Sequence, residues 1–216
     1  SWGRGNYHSL QLLLDKKFSR GLAYMVSYTW SKSIDIGSSG WFGTEGQAVQ
    51  DPYHFNNDRS ISGFDLTHLL SVNWVYQIPI GPGKQFSIDN RVLNHIIGNW
   101  QLNGIALFRS GNPFNLSVPG DLANTGNFRY LRPNYLGGEA KLSNPTPGKW
   151  FNTSAFAVPA SFTFGNFGRY VLRSDGVSNF DFSIFRQFPV REGKYFEFRA
   201  EMFNAFNSPV YNSPNG

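Results

Sequence analysis

Six stretches of this chain alternate apolar and polar residues with a period of two, and that alternation limits what it can fold into. From Leu22 to Trp30 the even positions read Leu22, Tyr24, Val26, Tyr28, Trp30 and the odd ones Ala23, Met25, Ser27, Thr29. A strand sends successive side chains to opposite faces, whereas a helical stripe would repeat every 3.6 residues. Upstream, Leu10, Leu12, Leu14 and Phe18 stand against Gln11, Asp15 and Lys17, with Leu13 the one exception. Ser19-Arg20-Gly21 then reads as a three-residue hairpin link, with Gly supplying a positive φ. Pairing Phe18 with Leu22 sets Leu14 beside Val26, Leu12 beside Tyr28 and Leu10 beside Trp30, all apolar residues on one face.

Four more strands are predicted. Residues 68–78 set Leu70, Val72, Trp74, Tyr76 and Ile78 against Ser71, Asn73, Val75 and Gln77. Residues 100–109 alternate Trp100, Leu102, Gly104, Ala106, Phe108 with Gln101, Asn103, Ile105, Leu107, Arg109, and here the facing stays open. Residues 180–188 set Phe180, Phe182 and Ile184 against Asp181 and Ser183; residues 195–203 set Phe196, Phe198, Ala200 and Met202 against Glu197, Arg199 and Glu201. The connections run short (19–21), long (35–65), medium (79–98, with one or two helical turns over 90–97), long (110–178) and short (189–194).

Composition narrows the class. Aromatics make up 17% of the 216 residues and charged residues 15%, so the chain can bury enough surface to order itself. No apolar run approaches the roughly 18 residues of a membrane helix. The absence of cysteine removes disulfides and thiolate chemistry. A net charge of +5 without a basic tract gives little reason to expect nucleic acid as a partner.

Strict alternation of short and long connections is the habit of outer-membrane barrels, with brief periplasmic turns and extended outer loops. The fold predicted is therefore all-β: an antiparallel sector of a large transmembrane β-barrel, about six strands, an open sheet in isolation. The aromatics agree, because rings gather at both ends of the strands, where a membrane meets water. Phe18, Trp74, Tyr76, Trp100, Phe188 and Phe196 fall near the short turns; Tyr28, Trp30, Phe108 and Phe180 lie toward the long loops. Of these, Phe18, Tyr28, Trp30, Trp74, Tyr76, Trp100, Phe188 and Phe196 are the expected membrane-interface set. Asp15, Lys17, Asn73, Gln77, Gln101, Asn103, Asp181, Glu197, Arg199 and Glu201 are expected to face the lumen or whatever fills it. The alternative is a secreted glycan-binding β-sandwich with an aromatic core.

Parity adds an expectation. If 19–21 is a periplasmic turn, the sixth strand runs outward and the chain stops on the outer side. Barrels close with an even strand count and end at the periplasm, so a final strand is expected beyond residue 216. The apolar residues Leu10, Leu12, Leu14, Val26, Val72, Leu102, Phe182, Ile184 and Phe198 are then expected to lie exposed on an incomplete wall.

Candidate chemistry is sparse. Asp51, His54 and Asp58 lie within eight residues, yet their spacing fits neither a calcium nor a zinc loop, and Asx turns with solvated charge explain them. No Gly-x-Ser-x-Gly elbow or His-Glu-x-x-His helix occurs. The stretch from Phe164 to Val171 echoes an RNA-binding strand but lacks that module's surroundings, and is read as a Gly-rich outer loop. No catalytic residue, metal or cofactor is read from the sequence, and the chain is expected not to be an enzyme.

Several runs carry a family resemblance. Ser27-Tyr28-Thr29-Trp30-Ser31-Lys32-Ser33-Ile34-Asp35 resembles the carboxy-terminal barrel of Oar-like TonB-dependent outer-membrane receptors. Further matching runs follow in order: Phe64–His68, Asn99–Ile105, Ser110–Phe114, Arg132–Asn134, Trp150–Asn152, Ala155-Phe156, Phe164–Asn166, Gly168-Arg169, Asn179–Ser183 and Arg199–Asn207. Tyr170 departs from the usual Asn and Asp175 from the usual Pro. The resemblance implies that residues 1–216 are a partial receptor barrel domain, without plug or final strand, in the outer membrane of a Gram-negative bacterium. It implies active uptake of a small nutrient (glycan, siderophore or peptide). The implied partners are outer-membrane lipid, the protein's own N-terminal plug and the TonB energy-coupling system.

Overall fold

A computed structural model describes residues 4–37, 49–51, 53–86, 89–126 and 131–214. Six long strands form its wall: β1 (Gly5–Ser19), β2 (Leu22–Asp35), β3 (His68–Gln77), β4 (Gln101–Arg109), β5 (Val177–Arg191) and β6 (Lys194–Met202). Each pairs antiparallel with the next in sequence, and a two-residue strand at Ser60–Ile61 extends the pairing of β2. The sheet does not close; β1 and β6 each carry an open edge. Among the described residues, no helix is long and apolar enough to cross a membrane.

The first hairpin has the expected register, with Leu10 opposite Trp30, Leu12 opposite Tyr28 and Leu14 opposite Val26. Its turn differs. Only Arg20 and Gly21 form the link, at φ 51° and 79°, and Ser19 rather than Phe18 pairs with Leu22. Two residues of positive φ match the right-handed twist of the strands better than a three-residue link would. The extra residue is taken up as a bulge between Lys16 and Ser19, which contains Phe18. The last hairpin behaves alike: β5 runs through Pro189 to Arg191, leaving a two-residue turn before Lys194, and the register shifts between Pro189 and Arg191. Proline has no N–H to give a ladder, and a bulge tolerates that.

Cross-strand pairing fixes the faces. Val26, Val72, Ala106 and Phe180 form one row, and Tyr24, Trp74, Gly104, Phe182 and Met202 the next. The open question at β4 is thereby resolved: Leu102, Gly104, Ala106 and Phe108 belong to the apolar face, while Ile105 and Leu107 share the other with Asn73 and Ser71. Trp74 lies across Gly104, where a Cβ would fall inside the indole. The same ring packs 5.3 Å from Phe180, which meets Phe206 at 5.1 Å.

Exposure of the apolar face is graded. Leu10, Leu12, Leu14 and Phe198, on the outermost strands, are exposed as expected. Val26, Val72, Leu102, Phe182 and Ile184 are only half-buried, a correction that follows from having strands on both sides. Ala106 is the one buried apolar residue within the six strands; the others among the described residues lie in the connections. A β-sandwich would bury one face of every strand, so the sandwich alternative fails.

Candidate functional site

The two long connections meet at one rim of the sheet and fold on each other. Three short strand pairs organise the second: 113–114 with 172–173, 134–135 with 156–157, and 141–146 with 149–151. Phe114, Leu116, Phe167 and Leu172 form a buried core, flanked by Ala140, Trp150, Phe151 and Phe156. Phe156 meets Phe167 edge-on at 4.8 Å and Phe151 at 5.9 Å, the geometry aromatic quadrupoles favour. Trp150 donates its indole N–H to the carbonyl of Arg173 at 2.8 Å.

Three arginines of the second connection join three aspartates at or within the bounds of the first. Arg132 binds Asp58, Arg169 binds Asp35 at 2.5 Å, and Arg173 binds Asp65 at 2.5 Å. Asp58 is 0% exposed and Arg169 1%. Neutral groups complete the joint. Gln50 accepts the backbone N–H of Arg132 at 2.8 Å and donates its side-chain amide to the Gly165 carbonyl at 2.9 Å. Ser60 donates to the carbonyl of Arg169. Asp65 also accepts the backbone N–H of Ser33 at 2.6 Å, tying the joint to the end of β2. Buried charges survive only when paired; each of these is, although Arg132 Nε and Arg169 Nε and Nη1 are buried without a hydrogen-bond partner among the described residues.

This arrangement corrects the reading of Asp58 as solvated charge. Asp51, by contrast, sits in the expected Asx turn, accepting the Tyr53 N–H at 2.9 Å and bonding the His54 ring at 2.6 Å. The three side chains do not converge: Asp58 turns to Arg132. Among the described residues, no group of three or more His, Cys, Asp or Glu is placed to hold a metal ion. The stretch from Phe164 to Val171 is loop, as expected, and supplies Phe167 to the core and Arg169 to Asp35. Sequence reasoning missed the ion pairs themselves. Their partners stand 74 to 134 residues apart, and the only available signal was that Asp35, Asp65, Arg132 and Arg169 fall inside family-like runs, while Asp58 and Arg173 do not.

Nine of the ten polar residues read as lumen-facing share one face of the sheet by pairing, and Lys17, in the bulge, is held to it by Asp15. Ladder pairs tie Asn73 to Met25 and Ile105, Gln77 to Gln101, Asn103 to Ser183, Asp181 to Ile105 and Glu201 to Ser183. Asp15 pairs across from Met25 and holds Lys17 at 2.6 Å. Asn103 bonds Gln101 at 2.9 Å and Ser183 at 3.2 Å; Arg199 bonds Glu197 at 2.7 Å and lies 3.7 Å from Glu201. Lys84 reaches Gln77 at 2.9 Å. Two depressions, of about 470 and 490 Å³, are lined chiefly by this face. Asp181 has an additional duty: it accepts the N–H of Asn204 at 2.8 Å and so caps the turn after β6.

Six of the eight interface aromatics lie on the opposite, apolar face by their pairing: Tyr28, Trp30, Trp74, Tyr76, Phe188 and Phe196. Trp100 joins them from just before β4, edge-on to Phe198 at 5.8 Å. Phe18 sits exposed in the bulge, outside the regular ladder.

An open antiparallel meander with one apolar and one polar face, long loops at one rim and short turns at the other, defines a membrane protein that crosses with strands. The family comparison agrees. The chain belongs to the outer membrane beta barrel domain family, whose model matches residues 1–216. Its place is therefore the outer membrane of a Gram-negative bacterium. Comparison with curated proteins found no match, and neither did comparison with solved structures.

Proposed function

We propose that this chain is the part of a TonB-dependent receptor that forms barrel wall and outer mouth, taking up a small nutrient such as a glycan, siderophore or peptide. The observation that carries the reading is the folded loop body: the second outer connection has its own apolar core and is joined to the first by three Arg–Asp pairs, of which Arg132–Asp58 is buried on both sides. A wall needs no such body, whereas a receptor mouth must hold binding surfaces in fixed positions. The Oar-like runs support the same reading, since several of them supply that joint. On this proposal the polar face from Asp15 to Glu201 borders the lumen and an N-terminal plug. Energy would then come through that plug from the TonB system.

The test is genetic and uses the complete gene. Deleting it, and separately deleting the energy-coupling protein of its host, should abolish growth on one and the same source among glycans, ferric siderophores and peptides. Normal growth of the receptor deletion on all three classes, or loss that does not depend on energy coupling, overturns the proposal.

A further inference from the structure

The medium connection holds α1 (Arg91–Ile97), started by Asn90, whose side chain accepts the N–H groups of Val92 and Leu93. Its Val92, Leu93, Ile96 and Ile97 are all exposed. They recur at intervals of one and four, which gathers them on one side of the helix. The last turn is clamped to the apolar face of the sheet. The Ile96 carbonyl accepts Nη1 of Arg186 at 2.7 Å and Nε1 of Trp100 at 3.0 Å. Arg186 is the only charged residue on that face of β5, and it is buried, at 4% exposed. Its guanidinium lies 4.4 Å from the Phe188 ring centre and 5.8 Å from that of Trp100.

An arginine on a lipid-side surface is costly unless its charge is met. Here a carbonyl in the last turn of a helix and two ring faces meet most of it, with Nε left without a hydrogen-bond partner among the described residues. The result is a short apolar helix fixed at the short-turn rim, continuous with exposed Phe188, Val190 and Phe196. We propose that α1 is an interfacial anchor lying in the phospholipid surface of the periplasmic leaflet, with Arg186 as the residue that positions it. Short turns are periplasmic in such barrels, and the apolar band beside α1 is the surface that lipid covers. An apolar helix side in that plane behaves as an amphipathic interfacial helix. The inference rests on membrane placement by family, not on the uptake reading.

The experiment uses the complete protein refolded into phosphatidylethanolamine–phosphatidylglycerol vesicles, with single substitutions Val92→Cys, Ile96→Cys or Lys84→Cys carrying a polarity-sensitive fluorophore. Spin labels are placed on the lipid chains either near the headgroup or at the chain centre. Probes at 92 and 96 should emit blue-shifted light and be quenched several-fold more than the probe at 84, most strongly by the shallow label. Adding Arg186→Gln should weaken quenching at 96 and leave a Leu12→Cys probe on the wall unchanged, which separates loss of the anchor from failure to fold. Quenching at 92 and 96 no greater than at 84 overturns the proposal. A blue-shifted but unquenched probe also overturns it, because protein rather than lipid would then cover the helix.

Discussion

Gly104 matters for the side chain it lacks. Trp74 fills the space above it and reaches Phe180, so the indole bridges the apolar face where the glycine leaves a gap. A Gly104→Ala substitution should push the ring off its seat and cost about 1–3 kcal/mol, the usual penalty of overpacking. Equilibrium unfolding of the protein in lipid vesicles measures the loss, and a shift in tryptophan emission locates it; unchanged values for both would show that the overlay does not form. Tyr170 illustrates the opposite balance. Its φ of 55° lies in the left-handed region, which costs a bulky residue about 1–2 kcal/mol and Asn less. That explains why Asn suits this position in chains that resemble this one. Here the buried tyrosine ring, 5.2 Å from the Arg169 guanidinium, offsets the backbone cost.

Among the elements, the turn at Asp51 is sensitive to pH. Burial pushes its carboxyl upward, but the Tyr53 N–H, the His54 ring and the His54 N–H together hold it below the ordinary value of 3.8. A carboxylate held low when folded adds stability that is complete above the unfolded pKa. That stability is lost as pH falls through the folded one. Protection of the Tyr53 amide, its exchange relative to the intrinsic rate at each pH, should therefore hold from neutrality down to about pH 4 and fall only below it. An Asp51→Asn variant should show the lower protection already at pH 7. If acidification leaves the wild-type amide equally protected at pH 2, the carboxylate does not hold the turn.

For the whole molecule, the joint between the long connections decides whether the outer mouth is one body or two loops. Asp58→Ala would strand the Arg132 charge in a buried site, a loss of about 3–5 kcal/mol. Replacing both partners with apolar residues, Asp58→Leu with Arg132→Met, should come close to neutral, since desolvation and attraction vanish together. Limited proteolysis of the vesicle-embedded protein reads the difference. The single variant should be cut within 110–176 far faster than wild type, and the double variant at nearly the wild-type rate. Equal cutting of all three would mean that the Asp58–Arg132 pair does not hold the connections together.

The wall is legible in the alternation alone. Period two is a local property of strands, and a slip of one residue would turn every apolar side chain to the wrong face, so the pattern alone pairs Leu12 with Tyr28 and Leu14 with Val26. One or two helical turns are likewise legible over 90–97, where α1 occupies 91–97, but its cap at Asn90 is seen only in the fold. Turn detail escaped, because whether an extra residue joins the link or forms a bulge depends on the twist of both strands together. The facing of β4 also had to wait for its neighbours, since Ile105 and Leu107 make both of its faces partly apolar. Only tertiary structure brought Asp35, Asp58 and Asp65 to Arg169, Arg132 and Arg173. Ion pairs across irregular connections have no period to read, and only the folded chain specifies which aspartate meets which arginine.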